Sequence, residues 1–268
     1  MPFKIRAIIP FLTLFSYHVK SQQLNINKHQ PTTTDSLQVV STRKVEEHKE
    51  PFPTKQLIIP ALFIVYGVVA IESDGLKNLN EKVREKIFLE NPHEKTHIDN
   101  YLQFAPAVAV YGLNIVGIKG AHNFVDRSAI FLLSNVMLNI SVSAIKKYSH
   151  QLRPDSSDYL SFPSGHTAEA FANAEFLLQE YKDVSMWYGI AGYAVAATTG
   201  YLRMYNDKHW LSDVIAGAGV GMASTKIAYW LYPKIKHALF KDKITTTSII
   251  PTYQNRIAGF ALVHNFSR

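Results

Sequence analysis

Three short clusters hold the side chains able to do chemistry. The first is Lys146 and, after six residues, Arg153-Pro154; the second is Pro163-Ser164-Gly165-His166; the third is Arg203, His209 and Asp213, separated by five and three residues. Taken singly, each has an ordinary structural explanation. Lys and Arg after an apolar helix are common interfacial residues and partners of a helix C-terminus. Pro-Ser-Gly-His reads as a turn and a helix start, and His209 and Asp213, at i and i+4, are neighbours on a helix face. Together they describe a cradle for a tetrahedral oxyanion. Lys146, Arg153 and Arg203 supply permanent cations, and arginine grips phosphate oxygens through a bidentate fork. Ser164 and the amides of Gly165 and His166 add donors at a helix N-terminus, which favours anions, and Gly165 admits a close backbone approach. Asp213 can hold one ring nitrogen of His209 protonated and leave the other to attack. His166, when protonated, can donate to a departing alkoxide. Two histidines with ordinary pKa values near 6.5 take opposite roles when their surroundings differ.

These clusters need elements that bring them to one place. Apolar stretches of helical length run at about 57–73, 101–118, 127–145, 185–201 and 209–232, and an amphipathic one at 166–181 carries Glu169, Glu175, Gln179 and Glu180. The pattern predicts an all-α bundle of about six helices, largely membrane-embedded. Several stretches are near the lower limit of about 17–25 residues for a spanning helix. The runs 127–145 and 209–232 are expected in the membrane, and 166–181 is expected to be buried within the bundle. Because successive helices alternate in direction, the loops carrying the clusters must share one end.

The remaining polar residues read as structural. Residues 75–97, with Lys82, Arg84 and Lys86 set against Glu81, Glu85 and Glu90, predict a solvated or interfacial helix and no binding site. His93, His97 and Asp99 fit a surface turn better than a metal site, since Pro92 and the polar surroundings interrupt the helical spacing. His150 reads as a loop bystander, and Asp155 and Asp158 serve a turn. Tyr201, Tyr205 and Trp210 suit either a membrane interface or a substrate entrance. From Ile244 to Phe266 two strand-like runs, punctuated by Pro251 and Gly259, predict a hairpin or extended tail.

The start of the chain reads as a targeting segment. Lys4 and Arg6 precede an apolar run, Ala7 to Tyr17, and Val19-Lys20-Ser21 offers a cleavage site, the alternative being an uncleaved anchor. Cleavage after Ser21 would lower the formal charge from +7 to +4. No basic stripe with interleaved aromatics argues for nucleic acid; the modest excess suits an anionic membrane surface or a phosphorylated substrate. Cysteine is absent, so disulfides are excluded. The expected organisation is a signal peptide or anchor at 1–21, a polar linker at 22–55, a catalytic domain at 56–240 and a tail at 241–268. Three crossings before Lys146 would put the clusters in the cytoplasm, whereas the signal-like start favours the periplasmic face of a bacterial inner membrane.

The three clusters resemble the signatures of the type 2 phosphatidic acid phosphatase (PAP2) and haloperoxidase superfamily, over roughly Tyr101 to Tyr232. The resemblance implies that His209 becomes a phosphohistidine, that His166 protonates the leaving group and that Asp213 orients His209. Lys146, Arg153, Ser164, Gly165 and Arg203 would bind phosphate, with no metal and no cofactor. One departure is Leu202, which stands where the family usually has Ser before the third-cluster Arg; a supporting hydrogen bond is lost or supplied elsewhere. The short connection 155–162 resembles small bacterial lipid phosphatases acting on lipid A or polyprenyl pyrophosphate. The implied partners are a phosphorylated lipid and a membrane, and the sequence does not set an oligomeric state. The alternatives are a soluble secreted acid phosphatase, a vanadate-dependent haloperoxidase, and a lipid-binding protein with a vestigial site.

Overall fold

The computed structural model describes residues 52–240 and the two segments 247–254 and 257–264. The signal-like segment, nearly all of the polar linker and parts of the tail lie outside the described residues. After a 3₁₀ turn at Lys55–Leu57 come α1 (Ile58–Glu72), α2 (Asp74–Arg84) with a π turn at Glu85–Leu89, α3 (Asp99–Leu102) and α4 (Ala105–Ile115). Four longer helices follow: α5 (Phe124–Ser149), α6 (Gly165–Tyr181), α7 (Met186–Tyr205) and α8 (Leu211–Phe240). The six expected helices are α1 and α4 to α8; α2 is additional, drawn from the stretch read as solvated, and α3 is a further short turn of helix just before α4. The strands β1 (Thr247–Gln254) and β2 (Ile257–His264) pair antiparallel, Thr247 opposite His264 and Gln254 opposite Ile257. Of the hairpin and the extended tail expected there, the described segments form the hairpin.

Side chains in the chain itself set the helix starts. The Asn123 side chain accepts from the Asp126 amide to open α5, and Ser185 does the same for α7, satisfying amides that a helix start leaves unpaired. His150 closes α5 in the left-handed conformation, φ 44°, and its ring stacks on Tyr159. That structural duty agrees with its reading as a bystander to the chemistry.

The position of the site follows from how closely α8 approaches its neighbours. A β-carbon on Gly217 would sit 2.5 Å from the Ser164 carbonyl oxygen, and one on Gly221 would sit 2.1 Å from that of Ala168. Neither is sterically possible, so α6 and α8 touch backbone to backbone. Gly219, on another side of α8, leaves the same room for the Pro60 carbonyl of α1. The hydroxyls of Ser134 and Thr225 pair at 2.8 Å between α5 and α8, and Thr225 also donates to the Ala172 carbonyl of α6. As expected, α6 is the buried element, with Glu175 and Glu180 both inside.

Among the described residues two helices are long and apolar enough to cross a membrane, Lys55–Glu72 and Phe124–Ser149. Protein covers little of them, 17% and 22%. Ile58, Leu62, Val65 and Val69 on α1, and Leu132, Val136 and Ile140 on α5, stand exposed. The run at 127–145 thus has the length, apolarity and exposure that a spanning helix needs. The run at 209–232 does not join this pair: α8 packs on α1, α5 and α6, so much of its apolarity serves the bundle interior.

Candidate active site

The helix directions bring all three clusters to one end. Lys146 lies near the C-terminus of α5, Ser164 is the N-cap of α6, Arg203 is in the last turn of α7, and His209 and Asp213 flank the start of α8. The contact is direct: the Ser164 amide donates to the Asp213 carbonyl at 3.0 Å. The Ser161 hydroxyl donates to Asp213 Oδ2 at 2.5 Å.

His209 is 3% exposed, and its Nδ1 faces Asp213 Oδ2 at 3.4 Å. This proximity is electrostatic; Nδ1 makes no hydrogen bond among the described residues. Asp213 Oδ2 is already engaged by the Ser161 hydroxyl and by the Trp210 amide, 2.9 Å away. Burial pushes the His209 pKa down to about 4, outweighing the opposing pull of Asp213. The ring is therefore neutral at pH 7, as a nucleophile must be.

Each cation is held from one side. The Lys146 ammonium donates to the Leu160 carbonyl. Arg153 Nε pairs with Asp158 at 2.7 Å. Arg203 Nη1 pairs with buried Asp99 at 2.5 Å, while its Nε is buried without a partner among the described residues. Fastening one edge of a guanidinium orients it and leaves its other donors for an anion. The hydroxyl of Ser164 is buried; it accepts from the Thr167 amide at 3.4 Å and pairs with the Thr167 hydroxyl at 2.8 Å. The donors at the open start of α6 are accordingly the amides of Gly165 and His166. A β-carbon on Gly165 would make ordinary contacts with Val142 and Lys146, 3.9 and 4.0 Å away, so a glycine there is not required by packing.

His166 lies beside these cations. Burial, reinforced by Arg203 and then by Arg153 and Lys146 against the pull of Asp99, lowers its pKa to about 4. An anion bound among the three cations would cancel part of that effect and favour the protonated ring.

Several residues escaped the sequence reading. Asp99, placed in a surface turn, is buried against Arg203 and accepts from Asn206. The neighbouring Asn100 places its Oδ1 2.8 Å from His166 Nε2. The stretch read as solvated is largely exposed, but one face of it straps the loop that precedes α8. Asn80 exchanges hydrogen bonds with the side chain and amide of Ser212, and Arg84 grips Asp207 at 2.7 and 2.9 Å. Its guanidinium also lies 5.7 Å from the Trp210 ring. Asp155 and Asp158 do more than turn the chain, since Asp155 pairs with Lys208 at 2.6 Å and Asp158 holds Arg153. His93 stacks on Tyr205 and meets its carbonyl at 2.7 Å, so the His93, His97 and Asp99 grouping does not act as one unit. Leu202 brings no hydroxyl to the site, and Arg203 is tied by Asp99.

The chain is similar to several known proteins. The chain is 37% identical over 166 residues to a lipid A 1-phosphatase of Porphyromonas gingivalis, covering 62% of this chain and 36% of that protein. It therefore spans just over a third of that relative's length. Among solved structures, Aquifex aeolicus LpxE aligns with a TM-score of 0.43 at 21% identity, covering 56% of this chain and 94% of the other. A transmembrane PAP2-type phosphatidylglycerolphosphate phosphatase of Bacillus subtilis aligns with a TM-score of 0.47 at 19% identity, covering 66% and 98%. The PAP2 superfamily model matches residues 127–237, the stretch from α5 to α8 that contains all three clusters. Over these residues the chain is similar to the PAP2 superfamily.

Proposed function

We propose that the chain is a metal-independent phosphatase that cleaves a phosphomonoester or pyrophosphate on a membrane lipid through a phosphohistidine at His209. The observation that carries this reading is the meeting of a buried His209, backed by Asp213, with Lys146, Arg153, Arg203 and His166 at one end of the bundle. The cations and the amides at the start of α6 take the phosphoryl oxygens. With Nδ1 facing Asp213, His209 Nε2 attacks phosphorus; the N–P bond forms as the P–O bond to the lipid breaks. The departing oxygen keeps the bonding pair and takes a proton from His166. Neutral His166 then accepts a proton from water as that water attacks the phosphohistidine, which frees His209 and phosphate. Asp213 stabilises the positive charge that His209 acquires in the first step.

The apolar faces of α1 and α5 favour a membrane-embedded enzyme over a soluble one. The P. gingivalis relative supports a lipid A phosphate as the substrate, and the signal-like N-terminal segment supports a site on the periplasmic face of a bacterial inner membrane. Phosphate release by detergent-solubilised full-length protein in EDTA tests the proposal, with lipid A, phosphatidic acid, a polyprenyl pyrophosphate and an aryl phosphate as substrates. EDTA-resistant release, greatest on a lipid and abolished by His209→Ala, is expected. Release that depends on added metal, or that survives in His209→Ala, overturns the mechanism; a preference for the aryl phosphate overturns the lipid assignment.

A further inference from the structure

One dipeptide outside the three clusters grips two of them. In α3, Asp99 turns inward to Arg203, and Asn100, exposed at the mouth of the site, meets the second-cluster histidine. Asn100 is itself fixed in place. Its amide donates to the His97 carbonyl at 3.2 Å, and its carbonyl accepts from Gln103 Nε2 at 2.8 Å. The Gln103 carbonyl in turn accepts from Asn173 of α6 at 2.9 Å. The amide is thereby anchored to α6, the helix that carries His166.

The two histidines have different kinds of partner. His209 faces a carboxylate, whose charge raises the ring's affinity for positive charge and suits a nucleophile. His166 Nε2 meets a neutral amide oxygen, which fixes the ring and keeps the hydrogen on Nε2. A neutral acceptor does this without the negative charge that would hold back a proton that must leave. Nε2 is the distal ring nitrogen and has the reach to an oxygen bound among the cations.

We propose that Asn100 is a positioning residue for the leaving-group proton. It holds His166 with Nε2–H turned to the open side of the site, and the leaving-group oxygen replaces the amide oxygen as acceptor. As the His209–phosphorus bond forms, the departing oxygen takes the P–O bonding pair and the Nε2 proton, and His166 is left neutral with its hydrogen on Nδ1. This role rests on the phosphatase reading above.

The test is leaving-group dependence. A lipid alkoxide needs a proton to depart, whereas nitrophenolate leaves without one. Turnover of phosphatidic acid and of nitrophenyl phosphate is measured for wild type, Asn100→Ala, His166→Ala and the double variant. General acid catalysis contributes about 10²–10⁴-fold, so Asn100→Ala is expected to lower the lipid-to-aryl ratio of kcat by about 10-fold or more with little change in KM. His166→Ala lowers that ratio further, and the double variant lowers it no more than His166→Ala alone. An unchanged ratio in Asn100→Ala overturns the proposal, as does a loss that adds to that of His166→Ala. Wild-type protein releasing phosphate from neither compound overturns the phosphatase reading itself, a result distinct from an active wild type with an unchanged ratio.

Discussion

Both ends of the bundle bury charge, by opposite rules. Arg127 and Lys146 both ride on α5, about 28 Å apart along its axis. At the Arg127 end opposite charges meet, although Arg127 Nη1 is also buried without a hydrogen bond among the described residues. Glu180 accepts from Arg127 at 2.9 Å and from Tyr229 at 2.8 Å, and meets His122 at 2.8 Å; Lys226 pairs with Glu175 at 2.7 Å. At the Lys146 end the cations are pinned on one side, and Arg203 Nε, His209 Nδ1 and Asp99 Oδ1 stay buried without hydrogen bonds among the described residues. A buried charge met by its opposite is a fastening. A cluster of cations each met along one edge is a receptor for an anion, because desolvating polar groups that remain unpaired costs free energy which a ligand restores.

The contrast can be broken by substitutions at either end. The largest of these effects is expected from Asp213→Asn. Loss of the analogous carboxylate in serine proteases costs on the order of 10⁴ in kcat, and a loss of that order with KM nearly unchanged is expected here. A change confined to KM would make Asp213 a wall of the phosphate pocket and no more. At the other end, Glu180→Ala strands Arg127 in the interior and is expected to lower stability by about 3–5 kcal/mol, read by thermal unfolding in detergent. The folded fraction should keep its kcat; a catalytic defect without a stability loss would erase the distinction between the ends.

Smaller effects sharpen the comparison. Arg84→Ala removes a bidentate pair to Asp207, and hydrogen bonds to charged groups contribute roughly 1.5–3 kcal/mol. Because Asp207 lies two residues before His209, reduced stability should come with slower turnover; a stability loss alone would make the strap passive. The pH dependence is subtler. The folded pKa of His209 is depressed to about 4, below an unfolded value near 6.5. Between those values the unfolded chain binds more protons, so stability is fully present above pH 6.5 and is lost as pH falls towards 4. The acid limb of kcat/KM should follow His209 and lie well below pH 6.5; a limb at 6.5 would mean that the nucleophile is open to water.

The gathering of the three clusters at one end was legible because its logic is local. Each cluster sits at a helix terminus, and alternating helix directions are enough to gather Lys146, Ser164, Arg203 and His209. Burial of α6 was also legible, since an amphipathic helix with Glu169, Glu175, Gln179 and Glu180 suits a bundle interior better than lipid. What stayed hidden depends on partners far away in the chain. Asp99 finds Arg203 across 104 residues, and Asn80 finds Ser212 across 132; nothing near either residue announces the partner. The Lys and Glu residues of α2 advertised a wet surface and masked Asn80 and Arg84, one helical turn apart on the face that turns inward. A usable signal was present in α8, where Gly217, Gly219 and Gly221 mark a helix with backbones close on two sides. Its apolarity suggested lipid, yet so short a side-chain set suits close helix packing.

The most direct test of the account is to trap the phosphoryl-enzyme. Full-length protein mixed with labelled lipid phosphate and quenched within a turnover in alkali, where phosphohistidine persists, should carry one label, mapped by mass spectrometry to His209 and missing from His209→Ala. His166→Ala should form the same adduct, more slowly. A label on any other residue, or turnover by wild type with no trapped adduct while substrate is in excess, would contradict nucleophilic catalysis by His209.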